Sequence, residues 1–336
     1  MSNIYRPWGP LRWVIEKVGK PNWALLGSHS VEERCEAVLK ELPKGSSDKR
    51  LFLKIVDPDA GEKALFDKAY ALREANIISI VGNSQCFEQV PLLATLDLMK
   101  VHVDKFLLDY GEDVILDISA MPKRWFFPLL KILIGDEKVK NLIIAYASAV
   151  KYSKELSFNP EPLAPIPAFA GIEARSEHET AIVGIGFEPL GLRELYSQQK
   201  VSKVRYIFPF PPGPPGFYRN WEFVRRLEEA ISDRDDDRHW HMSMYDCPSI
   251  FDELVQVSEQ GSSPCVLAPY GPKTVSLAMC LFSIALEEGN LVEAPVYYAQ
   301  PRRYAHDYSE GIKTAAGVPD IQAYCVKLNG RQLYTI

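Results

Sequence analysis

The chain has 336 residues, 47% of them hydrophobic, and a formal charge of -6. This length and apolar content support one large or two medium folded domains and exclude a disordered chain, while the net negative charge gives no general attraction for a nucleic-acid backbone. No run of eighteen uncharged apolar residues occurs and the first residues lack the apolar stretch of a secretory signal, so a soluble cytoplasmic protein without a membrane segment is expected.

The first half alternates short β-rich runs with helical patterns. Strands are predicted at WALLGS from Trp23, LFLKIV from Leu51, IISIV from Ile77, DVILDIS from Asp113 and NLIIAYAS from Asn141. Helices are predicted at VEERCEAVLKEL, GEKALFDKAYALREA, FEQVPLLATLDLMKVHVDKFLLDY and PKRWFFPLLKILI. This βα rhythm, with unbroken apolar strands, implies a parallel sheet covered by helices on both faces. The proline-rich stretch 153–180 reads as a connector. Beyond it, strands are expected at AIVGIGF from Ala181, KVRYIFPF from Lys203, WHMSMY from Trp240, CVLAP from Cys265 and PVYYAQ from Pro295, with helices between them and a closing hairpin around Asn329-Gly330. The expected fold is α/β, with two tandem Rossmann-like lobes of mainly parallel sheet: 1–152, the connector 153–180, and 181–336.

The two halves also share text. VILDISAMPK matches CVLAPYGPK with one gap, and each leads into an apolar helix and then a strand ending in YASAVKY or YAQPRRY. The spacing predicts an internal duplication. In a doubly wound sheet, ligands bind beyond the carboxyl ends of the strands where strand order reverses. The corresponding corners are GSHS with Ser28, DISAMPK with Asp117, Ser119 and Lys123, GIGFE with Gly184, Gly186 and Glu188, and PYGPK with Tyr270, Gly271 and Lys273. Proline in the first helical turn costs no hydrogen bond, the helix dipole favours an anion, and the adjacent lysine adds a full charge. Arg302, Arg303 and Tyr304 add bidentate donors and a stacking ring at the next strand end. The second lobe, with more glycines and arginines, is expected to hold the stronger site, and a nucleotide-like or other anionic small molecule is the expected ligand.

Other patterns are weaker. GIGFEPLG places Pro189 where the third glycine of a dinucleotide fingerprint belongs, and the following strand ends without an acidic residue, so no NAD, FAD or other cofactor is expected. His239 and His241 alternate on a strand that a polar face explains more simply than a metal. Six cysteines without a CxxC pair fit reduced, buried thiols. The loop PFPPGPPGFYRNW, 209–221, has the rigid and flexible residues of a lid.

A strand running into a small-residue turn and a lysine at a helix start resembles the signature of CARF-type Rossmann domains, prokaryotic defence sensors of cyclic oligonucleotides. DISAMPK and PYGPK carry the resemblance, although Met121-Pro122 and Gly271-Pro272 stand where a Gly-Thr pair is commoner. It implies a ligand sensor or adaptor in antiviral defence, acting on a separate effector protein. Two alternatives stay open: a nucleotide-processing hydrolase or glycosyl-bond-cleaving enzyme using Glu188 or Asp117 as acid or base, and a structural subunit of a larger assembly.

Overall fold

The computed structural model describes residues 4–43, 49–58, 63–109, 111–171, 180–199, 201–210, 217–228 and 236–336. The fold is mixed α/β with mainly parallel central sheets, divided into two compact units. The first comprises Met1–Asn159 and Arg302–Leu333, the second Pro160–Pro301 and Tyr334–Ile336.

In the first unit, strand β1 (Trp8–Pro10) and helix α1 (Leu11–Val18) precede β2 (Ala24–His29), α2 (Ala37–Glu41), β3 (Arg50–Val56) and α3 (Lys63–Val81). There follow β4 (Phe87–Pro91), α4 (Leu96–Asp109), β5 (Asp113–Asp117), α5 (Lys123–Gly135) and β6 (Asn141–Ala147). Every residue of β2 and β6 is buried, which is why these runs read as continuously apolar: helices cover both faces of a parallel sheet. The segment after residue 301 completes this unit. Its long strand β19 (Ile321–Leu328) runs antiparallel to β6, with Tyr324 opposite Ile144, and gives the order β1-β19-β6-β5-β2-β3-β4. Asn329 and Gly330, at φ 49° and 79°, turn β19 into β20 (Arg331–Gln332), a tight hairpin that requires left-handed backbone at both positions. Short strands form three further pairs: β7 (Ala149–Tyr152) with β16 (Ser309–Ile312), β8 (Ser157–Pro160) with β15 (Pro301–Tyr304), and β17 (Thr314–Ala315) with β18 (Val318–Pro319).

The second unit contains β9 (Ala164–Pro165), β10 (Thr180–Gly184), α6 (Leu192–Gln198), β11 (Lys203–Phe210), α7 (Phe217–Glu228) and β12 (Asp236–Ser243). It continues with α8 (Cys247–Val257), β13 (Cys265–Pro269), α9 (Lys273–Glu288) and β14 (Tyr297–Tyr298). Four parallel strands take the order β12-β11-β10-β13, and β14 pairs with β9. An isolated parallel bridge joins Leu267 of β13 to Val296.

Three expectations change. IISIV is not a strand: Ile77–Val81 are the last residues of α3, and FEQVP, read as a helix start, is the edge strand β4, with Phe87 opposite Phe52. A short apolar run is ambiguous between strand and helix, and the pairing available to Phe87–Pro91 decides it, Pro91 being tolerated at an edge. The boundary at 181–336 also shifts, because the pairing of β19 with β6 puts Arg302–Leu333 into the first unit. Within the connector and the lid segment, residues 172–179 and 211–216 lie outside the described residues. Among the described residues, no helix is long and apolar enough to cross a membrane.

Candidate functional site

Strand order in the first unit reverses at β2, which pairs with β3 on one side and β5 on the other. Leu26 stands opposite Leu116, and a Cβ placed on Gly27 would lie 3.7 Å from that of Asp117, so the two strand ends adjoin. His29 turns toward α3: its Nε2 is 3.1 Å from the carbonyl oxygen of Tyr70, and the two rings meet edge to face at 5.1 Å. Burial lowers the pKa of that imidazole. Alternation along the strand turns Ser28 to the other face. Right-handed crossovers running in opposite directions from β2 and β5 place α3 and α5 on opposite faces, so the Ser28 hydroxyl faces the α5 side. Ser28 is 3% exposed and its Oγ has no hydrogen-bond partner. A buried hydroxyl left unpaired costs about 1–3 kcal/mol and calls for an explanation.

The corner after β5 is built by side chains that accept backbone protons. Asp117 Oδ1 accepts the Ser119 N–H at 2.8 Å, and Ser119 Oγ accepts the Ala147 N–H at 2.8 Å, tying the turn to β6. Both residues were candidate ligands; in these contacts they shape the loop. Pro122 then starts α5, its carbonyl accepting the N–H groups of Trp125 and Phe126 at 3.0 Å. Buried Trp125 donates its indole N–H toward the carbonyls of Pro91 and Leu92, anchoring the helix to the end of β4. Lys123 is thereby held at the positive end of a thirteen-residue helix, beside the switch point. Its side chain keeps part of its surface, yet the amine itself is withdrawn from water, and desolvation brings its pKa down to about 7.

Sequence reasoning missed the arginine behind this corner. Arg34, 1% exposed, donates to Glu32 at 2.5 Å, to the Ala147 carbonyl at 3.2 Å and to Ser309 Oγ at 3.2 Å, while the Ser309 hydroxyl donates to Glu32. The guanidinium lies 5.9 and 5.5 Å from the ring centres of Tyr146 and Tyr152, whose hydroxyls are 3.0 Å apart. Burial opposes the charge of Arg34, but Glu32 together with Tyr152 and Tyr146 outweighs it and holds the pKa well above the usual range. VEERCEAV offers no signal for this role, since Arg34 has the spacing of an ordinary helix-face residue. Ser148, which follows the carbonyl bound by Arg34, is a second buried hydroxyl without a partner, so unpaired serines follow or end the strands on both sides of β5.

The second unit distributes its candidates differently. A Cβ on Gly186 would stand 1.9 Å from the Tyr270 carbonyl oxygen, and one on Gly271 would stand 3.0 Å from that of Ile185. Close approach is needed there, as the glycines suggest, but the approaching backbone is the chain's own. Gly184 lies against the Val275 side chain, whose Cγ1 would be 3.2 Å from a Cβ there. Buried Tyr270 donates its hydroxyl to Leu190, accepts the Ala299 N–H at 3.3 Å and packs on Tyr298, so its ring belongs to the core. Lys273 begins α9 after Pro272, and Glu188 is half-buried beyond β10. Arg302, Arg303 and Tyr304 belong to β15 on the first unit: the Arg303 guanidinium lies 4.3 Å from the Phe158 ring centre, and the Tyr304 N–H donates to Asp57 at 2.8 Å. They therefore belong to the first unit, whereas Lys273 belongs to the second. His239 stacks on Tyr206 and His241 on Phe208.

Substituting Gly186 by alanine is expected to force β10 and β13 apart at this corner. Thermal unfolding should show a loss of about 1–3 kcal/mol or more, as for an overpacked core; an unchanged melting temperature would mean that the loop relaxes freely.

Comparison with protein families matches residues 54–139 to the PRAME N-terminal domain, 86 of the 336 residues. Comparison with curated proteins gives no match. The family match contradicts the resemblance to CARF-type domains, and the antiviral-defence role implied by that resemblance falls with it. Strand-turn-helix corners with a lysine are a common solution for starting a helix, and two short motifs do not carry a family. The matched stretch runs from within β3 to just before β6, so it includes Lys123 but neither Ser28 nor Arg34.

Proposed function

We propose that the protein binds a small nucleotide-like anion at the carboxyl edge of its first unit and acts in the cytoplasm as a sensor or adaptor toward a separate protein partner. The carrying observation is the buried, unpaired Ser28 hydroxyl at the β2–β5 switch point, on the face from which α5 presents Lys123 and its positive helix end. A phosphate or carboxylate oxygen would accept from Ser28 and draw the Lys123 amine into its charged form. In this reading the two units are Rossmann-like lobes related by duplication. Support comes from a central strand flanked in each by the second and fourth strands, and from the repeated Pro122-Lys123 and Pro272-Lys273 corners. The first unit is preferred because the second unit's corner is occupied by its own backbone.

Replacing Ser28 by alanine separates ligand binding from folding. Without ligand the variant should be more stable by about 1 kcal/mol, because an unpaired buried hydroxyl is removed. Calorimetric titration with adenosine monophosphate or inorganic pyrophosphate should show weaker binding by roughly fivefold or more. Wild-type protein that binds neither anion, or a variant that binds both as tightly as wild type, would refute the site.

A further inference from the structure

We propose that the outer face of α3 is a self-association surface, through which two copies of this chain pair antiparallel with Leu72 at the two-fold axis. The proposal is independent of the anion site. All nineteen residues of α3 lie among the described ones, and Ile77 is the one that is buried. The inward side of the helix carries its polar and aromatic contacts. There the Tyr70 carbonyl meets His29, Lys54 lies 4.5 Å from the Tyr70 ring centre, and Arg73 binds Glu36 at 3.1 Å and Glu33 at 3.4 Å. At the 3.6-residue period, Leu65, Ala69, Leu72, Ala75 and Ile80 fall on the opposite side, and Leu65, Leu72 and Ile80 are 49%, 53% and 45% exposed. Helix α4 shows the ordinary arrangement, burying Met99, Val103, Phe106 and Leu107 and leaving Asp97, Asp104 and Lys105 exposed. A surface helix whose apolar stripe faces solvent gains by being covered.

The spacing of the stripe points to a second copy as the cover. In an antiparallel pair centred on Leu72, a residue a given number of positions before it stands level with the residue as many positions after it in the other chain. Leu72 then meets Leu72, Leu65 stands level with Ser79, Ile80 with Ala64, and Ala69 with Ala75. Each bulky apolar side chain off the axis has a small one beside it, so the ridges of one helix can enter the grooves of the other. Lys68, the charged residue within the stripe, stands level with Asn76 and about 12 Å along the helix from its own counterpart, so like charges do not meet. A parallel pairing would set Lys68 against Lys68. With one cation on the face, a membrane surface is a poorer match. Two helices of this length, roughly 28 Å, bury on the order of 1,000 Å², the low end of specific interfaces, so the dimer is expected to dissociate near about 10 µM.

Sedimentation velocity of the full chain from about 1 to 200 µM reads the association. The wild type is expected to pass from monomer to dimer across this range. Leu72→Glu and Leu72→Lys should each stay monomeric, a weakening on the order of a hundredfold, because two like charges would meet at the axis. An equimolar mixture of the two variants is expected to regain the dimer, since opposite charges then face each other. Leu72 is half-exposed, so thermal unfolding of each variant at about 1 µM, where the wild type is also monomeric, should match the wild type. Wild type that remains monomeric at about 200 µM, variants that dimerise as the wild type does, or folded variants whose mixture stays monomeric overturn the proposal. Flotation of monomeric wild type, but not of Leu72→Glu, with phosphatidylcholine vesicles would overturn it by assigning the face to lipid.

Discussion

Arg34→Ala is expected to destabilise the first unit by about 3–5 kcal/mol, the usual cost of removing one partner from a buried ion pair. The side chain is 1% exposed and Glu32 8%, so the carboxylate left behind would stay buried without the guanidinium that faces it, the Ser309 hydroxyl still donating to it. The Ala147 carbonyl would lose the Arg34 donor too, and the segment between β2 and α2 would lose its tie to β6 and β16. Geometry alone does not make the pair a net source of stability, because bringing two charges out of water offsets much of their attraction. The double replacement Arg34→Met with Glu32→Leu should therefore cost less than half of the single one. Urea unfolding measures both, and hydrogen exchange at the β2 and β6 amides assigns the loss to this unit. A single-variant cost below about 1 kcal/mol would show that water reaches Glu32 and that the pair is not a buried one.

What the sequence reveals of this site divides along a physical line. The strands β2, β5 and β6 are legible because burial on both faces makes them continuously apolar, and the Pro-Lys corners are legible because starting a helix has a local chemistry. Gly186 and Gly271 are legible as positions of close approach, but what approaches is decided by the spacing of two strands far apart in sequence. The same holds for Arg302 and Arg303, whose YAQPRRY text matches YASAVKY, although the chain leaves the second unit just before Arg302. Local resemblance carries no information on which sheet a segment joins. Arg34 and Ser148 are the hardest to read: their significance lies in burial and in bonds made or missing, and nothing in residue type or spacing marks them, while Ser28 is legible as a corner residue but its missing partner is not.

Lys123→Met is expected to raise stability and to abolish anion binding together, with a pH dependence that identifies the lysine as the cause. Desolvation lowers its pKa from 10.5 to about 7 in the folded chain, while the unfolded chain keeps the ordinary value. Between these two values the unfolded state binds the extra proton, so the stability of the wild-type protein rises with pH across that window. Below pH 7 both states are protonated and the full cost of burying the ammonium is felt; above about 10.5 neither is, and the cost vanishes. Methionine carries no charge, so its advantage should be greatest at and below neutrality, on the order of 2–4 kcal/mol, and should shrink steadily toward alkaline pH. Urea midpoints measured for both proteins from mildly acidic to alkaline conditions give the difference directly. An anion stabilises the ammonium and raises its pKa, so wild-type binding should take up a proton and weaken as pH climbs above 7. Calorimetry with pyrophosphate in buffers of different ionisation enthalpy reads that proton. A stability gain independent of pH would mean that methionine merely packs better, and anion binding without proton uptake would place the ligand away from Lys123.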